Sequence, residues 1–520
     1  MKINMKINCV SIGGTAIPYG NVFDDNFKYG NSKLEYLCQF LRDKNKEVNI
    51  IYFQNSDNNE DISKTLENSD VIIFLMDYLN NKKIIDISYQ LKKHIHNKII
   101  VLGRYVDFRY KNILTNNKCI DYCCLGDPYE SINNLIDYFI NGNEINLDHI
   151  ASDNDFNKTL EKNLNIDIWP CFDYYENDIY KNNRRKIHIL TLKNECCIGN
   201  CSFCWSKKEK IIYKSIDRVV KEIDLVSSKY GIRNFLFVDN DFFDVLTDDR
   251  KEQIMELLIK IQKLKKNLNF SCFARPTSIK DKHIDMYLKM KEVGFSCVFL
   301  GVDTGNNIDR KLYKKIPTLE DSIKALNILK EVNLFTRIGF ISINPYSTYD
   351  TLKDNYLFLK KIKSANYYHY GGLKLMLFPG TAIYNKVYND NLIENENNVY
   401  GYYFKNPKIN EILNVVNTFI NKINSYHIVD YLKLRRYYEY GVSINNKVFE
   451  KYKDLILKYE EEEYKDLISL FKILYIENNI NKFSNIMDIY VGRIVCRAQN
   501  NRNIISEIKE IIYMTPISKE

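Results

Sequence analysis

No apolar run in this 520-residue chain is long enough to cross a membrane. The longest, such as Val71-Ile-Ile-Phe-Leu-Met76, are the length of a strand, far short of the ~20 residues a spanning helix needs. The first residues, Met1-Lys-Ile-Asn-Met-Lys6, lack the continuous apolar segment and cleavage site of a secretory signal. A gathered basic face is missing too. The net charge is +8, but Lys and Glu are interspersed, whereas nucleic-acid binding needs clustered positive charge. No membrane and no nucleic-acid partner are therefore expected. There is no disulfide framework either: 13 cysteines, odd in number and scattered, argue for a reducing compartment, and the chain reads as cytoplasmic. No repeat is found after about residue 395. With 45% hydrophobic and 27% charged residues, the composition is that of an ordinary globular protein, long enough for about two to four domains.

Against this plain background one stretch stands out, Glu195-Cys-Cys-Ile-Gly-Asn-Cys-Ser-Phe-Cys-Trp205. Cys197, Cys201 and Cys204 form C-x-x-x-C-x-x-C. Three thiols so close in sequence converge on one centre only if the backbone curls, and Gly199 and Asn200 tolerate that curl. Thiolates are the soft ligands preferred by iron–sulfur clusters and zinc. Structural zinc wants a fourth ligand nearby, and no further Cys or His follows within a short loop. Three ligands would leave a four-iron cluster with one iron open. Using Cys196 would lengthen the first gap, so it is given no ligand role.

Residues 1–145 alternate between strand and helix patterns. Apolar runs at Ile7–Ile12, Val48–Phe53, Val71–Met76, Ile99–Gly103 and Cys119–Leu125 alternate with helical stripes. Those stripes are Leu34, Leu37, Phe40 and Leu41; Ile84, Ile87, Leu91 and Ile95; and Ile132, Leu135, Ile136 and Phe139. This predicts a doubly wound, Rossmann-like domain with a parallel sheet and a ligand crevice at the carboxyl ends of its strands. Cys119, Cys123 and Cys124 fall inside an apolar strand and read as small core residues. Residues 146–184 are polar and irregular and read as a surface linker.

Residues 185–394 resume the alternation with a regular beat. Strands are expected at Lys186–Leu192, Asn234–Asp239, Asn269–Arg275, Phe295–Gly301, Thr336–Ile343 and Leu373–Phe378, with helices between. Thr318 should cap one helix with Asp321 completing the cap, and Leu319, Ile323, Leu326 and Leu329 facing inward. Six units in this length fit a partial (β/α)6 TIM-type barrel, since eight would take about 250 residues. Chemistry then sits at the strands' carboxyl ends, and the cysteine loop follows the first strand. Residues 395–520 read as helix only, with Ile409, Leu413, Val416 and Ile420 as one stripe and Tyr459-Glu-Glu-Glu-Glu-Tyr464 as solvated surface. The fold class is α/β with a C-terminal helical domain.

A C-x-x-x-C-x-aromatic-C loop, with Phe203 as the aromatic, after the first strand of such a barrel resembles the radical S-adenosylmethionine (SAM) superfamily over roughly residues 185–390. Gly301-Val-Asp-Thr-Gly305, Lys314-Lys315-Ile-Pro-Thr318, Gly339-Phe-Ile-Ser-Ile-Asn-Pro345 and Pro379-Gly-Thr381 resemble segments of the same group. Many relatives carry Gly-Gly-Glu after the second strand; this chain has Asp239-Asn240-Asp241. The resemblance implies a [4Fe–4S] cluster held by Cys197, Cys201 and Cys204, with SAM on its open iron. Candidate SAM contacts are Asp239, Asn240, Asp241, Arg275 and Asp303. It also implies reductive cleavage of SAM to methionine and a 5′-deoxyadenosyl radical, with the cofactors carrying the hard chemistry. An electron donor such as flavodoxin or ferredoxin is the implied partner.

The first domain, with Ile120-Asp-Tyr to Gly126-Asp127, is similar to the cobalamin-binding-type domain often fused to this barrel. The Asp-x-His-x-x-Gly motif that often supplies an axial ligand is absent, and the nearest imidazoles, His94 and His96, lie late on a helix. Either cobalamin binds without a protein ligand or the domain has lost it; binding is the favoured reading. The implied activity is a cobalamin-type methyltransferase acting on a small natural-product precursor or a peptide. Two alternatives remain open: a cobalamin-independent radical SAM enzyme, such as a peptide epimerase or cyclase, and a non-catalytic iron–sulfur electron-transfer protein. Arg184, Arg185, Lys207, Lys208 and Lys210 flank the cluster loop, and Tyr367, Tyr368, His369 and Tyr370 precede the sixth strand. They are weaker candidates, for steering and for lining a pocket.

Overall fold

The computed structural model describes residues 5–13, 32–93, 97–142, 148–153, 155, 158, 168–176, 187–194, 196–206, 210–244, 247–396, 398–426 and 451–514. The chain divides into two compact units, residues 1–189 and 190–520. His94, His96, Arg184, Arg185, Lys207 and Lys208 lie outside the described residues.

In the first unit the order is β1 (Ile7–Ile12), α1 (Ser32–Asp43), β2 (Val48–Phe53), α2 (Asn59–Leu66), β3 (Val71–Leu75), α3 (Asn81–Lys92), β4 (Lys98–Leu102), α4 (Arg104–Asn116), β5 (Tyr122–Cys124), α5 (Tyr129–Asn141) and β6 (Ile150–Ala151). The sheet runs β2-β1-β3-β4-β5-β6, parallel except for β6. Central β3 is buried at every residue, because helices cover both faces. Val10, Ile72 and Phe74 join one core; Cys9, Val71 and Ile73 join the other. The expected doubly wound architecture is present. Cys123 and Cys124 serve one core each, and with Cys119 are at most 2% exposed.

Two helices escaped the sequence pattern. α2 is only eight residues long, and the buried positions of α4 include Asp107, which blurs its stripe. Part of the stretch expected to be a surface linker is built into this unit. Its residues 150–151 form β6, and Ile168 and Cys171 enter the core. The Cys171 amide donates to Glu35 O at 3.0 Å, and Arg42 donates to both oxygens of Asp173 at 2.8 and 2.7 Å. These anchors are irregularly spaced, so no periodicity announces them.

The second sheet is β7 (Ile187–Leu190), β8 (Asn234–Phe237), β9 (Asn269–Ala274), β10 (Phe295–Asp303) and β11 (Phe335–Phe340), arranged in sequence order. The register from β8 to β11 is parallel. Between and after the strands lie α6 (Ile216–Tyr230), α7 (Asp248–Lys263), α8 (Ile284–Glu292), α9 (Asn307–Leu312), α10 (Leu319–Glu331) and α11 (Tyr349–Lys361). Side chains of Ser215, Thr247, Thr318 and Thr348 accept the orphan amides that open α6, α7, α10 and α11. Thr318 and Asp321 form the full reciprocal box. The buried face of α10 is rotated from the expected stripe: Ser322, Ala325, Ile328 and Leu329 are inside, while Leu319, Ile323 and Leu326 are half-buried. Small residues let the helix approach closely, and a pattern read from large apolar residues misses them.

This is the expected partial barrel, with one correction at its edge. The sixth position is a single parallel bridge, Ile343 to Lys374, with amide bonds from Ser342 to Leu373 O and from Leu375 to Ile343 O, both 2.8 Å. Its backbone then turns away, the Leu377 amide bonding to Val399 O at 2.8 Å. The chain continues through α12 (Ala382–Asn389), α13 (Lys408–Ser425), α14 (Lys453–Tyr475), α15 (Ile480–Asn500) and α16 (Arg502–Met514). Ile409, Leu413, Val416 and Ile420 are buried as expected. The acidic run is not uniformly solvated: Glu463 is 7% exposed and accepts from Arg497 at 2.9 Å, while Asp466 accepts from Arg493 and Arg497 at 3.0 and 2.6 Å. Among the described residues, no helix is long and apolar enough to cross a membrane.

Candidate cluster and cofactor site

The cysteine loop begins where β7 ends, and its base is closed by an antiparallel bridge between Lys193 and Tyr213. Asn194 ties both sides, its amide side chain donating to Lys210 O at 2.9 Å and accepting from the Ile212 amide at 3.3 Å. Lys193 forms an ion pair with Asp244, both side chains at most 2% exposed, and the Tyr213 hydroxyl donates to the same carboxylate at 2.9 Å. Asp239 accepts from the amides of Leu192 and Lys193 at 2.9–3.1 Å. Burial pushes its pKa up to about 6, opposed by the Leu192 amide and by Lys193. The loop after β8 therefore grips the strand that launches the cysteines.

On its other side the loop docks on the turn after α9. The Ser202 amide donates to Tyr313 O at 2.8 Å, and its hydroxyl donates to Leu312 O at 2.8 Å. Phe203 meets Tyr313 edge-on at 5.3 Å between centroids. The Trp205 indole donates to Pro379 O at 2.8 Å and packs on Phe378 at 4.1 Å. Consequently Cys197, Cys201 and Cys204 lie on one curled turn, all half-buried, whereas Cys196 is fully buried. The Gly199 and Ser206 amides donate to the sulfurs of Cys197 and Cys204 at 3.3 and 3.4 Å. Burial raises the Cys197 thiol, against the Gly199 amide and Arg275. Burial also takes Cys201 up to about 11, against the pull of Lys315.

The donor set and its spacing fit an iron–sulfur cube. Gly199 is the cradle: a Cβ there would lie 3.3 Å from Cys197 Sγ and 3.9 Å from both Cys201 Sγ and Arg275 Cδ. No three His, Cys, Asp or Glu side chains among the described residues close on a point the size of a single ion. A multi-iron cluster is larger and takes thiols held further apart.

The five strand-end residues are in different states. Asp241 is fully buried, accepting from Arg275 Nε at 2.6 Å, Ser278 Oγ at 2.5 Å and the Phe243 amide at 3.2 Å. Arg275 thus reaches from that carboxylate towards Gly199. Asn240 is half-buried at the end of β8. Asp303 adopts φ 64°, uncommon for a residue with a side chain, and pairs with Lys315, whose ammonium also donates to Gly301 O at 3.0 Å. Sequence reasoning missed Lys193, Tyr213, Asp244 and the docking of Ser202 on residues 312–313, because no short-range pattern links them. Tyr367, His369 and Tyr370 are buried; His369 bonds Ser364 Oγ at 2.8 Å, and Tyr370 stacks on Phe471 of α14.

Residues 193–359 match the family model of the Radical SAM superfamily. The chain carries a radical SAM domain. An uncharacterized methyltransferase of Pyrococcus horikoshii is 22% identical over 285 residues, which are 52% of this chain and 60% of the relative; the chain thus spans less than two thirds of that protein. Among solved structures, the cobalamin-dependent S-adenosylmethionine radical enzyme OxsB with aqua-cobalamin bound superposes with TM-score 0.74 at 16% identity, over 99% of this chain and 83% of that one. The radical SAM methyltransferase TsrM of Kitasatospora setae, with tryptophan and a SAM analogue bound, gives 0.59 at 14% identity over 74% and 76%. These likenesses concern the fold.

The strands of the first unit run in a doubly wound order. Its strand order reverses between β1 and β3, the switch point where such sheets take ligands. Asn80 bridges the two strand ends, donating to Ile12 O and Leu75 O at 3.2 and 3.1 Å, and Leu79 beside it is 63% exposed. The antiparallel β6 carries His149 to the same end of the sheet, its carbonyl accepting from the Leu125 amide at 2.9 Å.

Proposed function

We propose that the chain is a radical SAM enzyme of the cobalamin-dependent type and acts as a methyltransferase on a small natural-product precursor or a peptide. The observation that carries this reading is the cysteine turn at the carboxyl end of β7, clamped from below by Asp239 and Asp244 and docked by Ser202 on the end of α9. Cys197, Cys201 and Cys204 would hold a [4Fe–4S] cluster. When bound, that cluster supplies the electron that cleaves SAM to methionine and a 5′-deoxyadenosyl radical.

The protein's part is placement. Asn240 and Asp303 would present polar atoms to SAM at the ends of β8 and β10. Asp239, Asp241 and Arg275 would act mainly through the backbone and each other, their polar atoms being engaged inside the fold. Cys197, Cys201 and Cys204, only half-buried, stay open on one side for the cluster. The crevice at β1 and β3, with exposed Leu79, would receive the flat face of a corrinoid.

Anaerobic reconstitution with iron and sulfide, then reductant and SAM, tests the first part. It should give a cluster and 5′-deoxyadenosine, both lost when the three cysteines become Ala. A cluster without SAM cleavage would instead indicate electron transfer. Incubation with hydroxocobalamin should leave a corrinoid spectrum after desalting. Its loss would remove the methyltransferase reading and favour a cobalamin-independent enzyme, the alternative that the missing Asp-x-His-x-x-Gly keeps open.

A further inference from the structure

The three cysteines of the turn are supported unequally. The Gly199 amide donates to Cys197 Sγ at 3.3 Å, and Arg275 stands on the same side, its Cδ 3.9 Å from where a Gly199 Cβ would lie. Cys204 Sγ has the Ser206 amide at 3.4 Å and the Ser206 hydroxyl at 3.1 Å. The Cys201 sulfur accepts no amide hydrogen bond among the described residues. Among the charged groups around it, the Lys315 ammonium acts most strongly, ahead of Asp303.

The backbone puts Lys315 there. Lys314 adopts φ 52° and faces solvent, while the next side chain turns inward and the Lys315 amide donates to Arg310 O at 3.0 Å. Two residues earlier, Tyr313 O accepts the amide of Ser202, the neighbour of Cys201, so lysine and cysteine flank one docking contact. The ammonium donates to Gly301 O at 3.0 Å and pairs with Asp303, which itself adopts φ 64°. The two side chains are 4% and 9% exposed. Burial opposes the lysine's charge, but Asp303 and Cys201 outweigh it and the pKa is raised, so the ammonium persists. Stability does not explain this arrangement. Well-packed apolar residues often replace a buried ion pair without loss, and left-handed backbone at residues other than glycine gathers at functional sites.

We infer that Lys315 sets the reduction potential of the cluster held by Cys197, Cys201 and Cys204, supplying at Cys201 the positive charge that amide dipoles supply at the other two sulfurs. Potentials of thiolate-held clusters follow net charge, hydrogen bonds to the sulfurs and solvent exposure. An incoming electron adds negative charge, and a fixed cation away from water stabilises that charge far more than one in bulk solvent. Lys315 therefore makes the cluster easier to reduce. It gives up neither proton nor electron and acts through its field alone. The inference rests on the radical SAM reading above for the presence of the cluster.

The test uses the full-length protein, reconstituted anaerobically with iron and sulfide and kept without SAM. It is poised at a series of potentials with dithionite and mediators, and the reduced cluster is counted by electron paramagnetic resonance. Lys315→Met should lower the ratio of reduced to oxidised cluster at a fixed potential about tenfold, a midpoint about 59 mV more negative. Lys315→Arg keeps the charge and should stay within about threefold of the wild type. A wild-type midpoint in Lys315→Met at full iron content, or an equal fall in Lys315→Arg, would overturn the inference. A merely structural lysine would alter iron content and stability and leave the potential alone. Should Lys315→Met hold no iron, its combination with Asp303→Asn leaves no lone buried charge, and Asn tolerates the left-handed backbone at 303. The midpoint of that double variant should also fall, and a wild-type value would again overturn the inference. If the wild type itself takes up no iron, the radical SAM reading fails instead, so the two failures are separately visible.

Discussion

At the scale of single residues, Asp239 shows how a buried acid is used to hold a loop. Both its oxygens accept backbone amides, yet burial raises its pKa from 3.8 to about 6. In that interval the folded protein binds more protons than the unfolded chain, so stability falls as pH rises from about 4 to 6 and is flat above. Asp239→Asn keeps one acceptor and removes the charge. Urea titrations of that variant should show a flatter pH dependence between 4 and 6 than the wild type; an unchanged slope would assign the dependence to another group. Gly199 makes the opposite case, a residue defined by what it lacks. Gly199→Ala should lower bound iron, because the new methyl crowds Cys197 Sγ, while leaving thermal stability within about 0.5 kcal/mol.

Among elements, the cysteine loop depends on its base more than on its own sequence. Lys193, Tyr213 and Asp244 come from both flanks of the loop and from the segment after β8, and the ion pair is excluded from water. Removing one partner of such a pair strands a buried charge and typically costs about 3–5 kcal/mol. Lys193→Met should therefore destabilise the protein by that order in chemical denaturation. Lys193→Met combined with Asp244→Leu should recover part of it, because no lone charge then remains. If the double variant is no better than the single one, the pair matters through its hydrogen bonds, including that of Tyr213. The caps were readable more locally: Thr318→Ala should cost about 1 kcal/mol, seen as a lowered melting temperature.

For the whole molecule, two compact units are joined in one chain, each with a parallel sheet whose carboxyl ends suit a cofactor. The Cys197, Cys201 and Cys204 to Ala variant should lose iron but still retain a corrinoid after desalting, measured by metal analysis and absorbance. Loss of both would overturn the assignment of corrinoid binding to the first unit alone. The C-terminal helices are part of the second unit's packing: the Tyr356 hydroxyl donates to Ile468 O at 3.0 Å, and the Tyr475 hydroxyl to Tyr370 O at 2.6 Å. Tyr367, His369 and Tyr370, which precede the sixth strand position, are accordingly core residues against α11, α13 and α14 rather than free lining.

What the amino-acid sequence determined alone is whatever repeats at short range. The strand and helix alternation, the threonine caps and the three-cysteine turn all depend on neighbours within a few residues, so spacing reveals them. Tertiary structure decided the features whose partners lie far apart. Asp244 finds Lys193 across 51 positions, Ser202 finds Leu312 across 110, and Arg337 meets Phe299 only through strand register. The same holds for the misjudged pieces: the anchored segment around Cys171, the inward Glu463 and the sixth strand reduced to one bridge. Each is settled by burial against a distant element, an energy that no local pattern records. The cysteine motif therefore states which chemistry is available, and the folded barrel decides where a substrate can meet it.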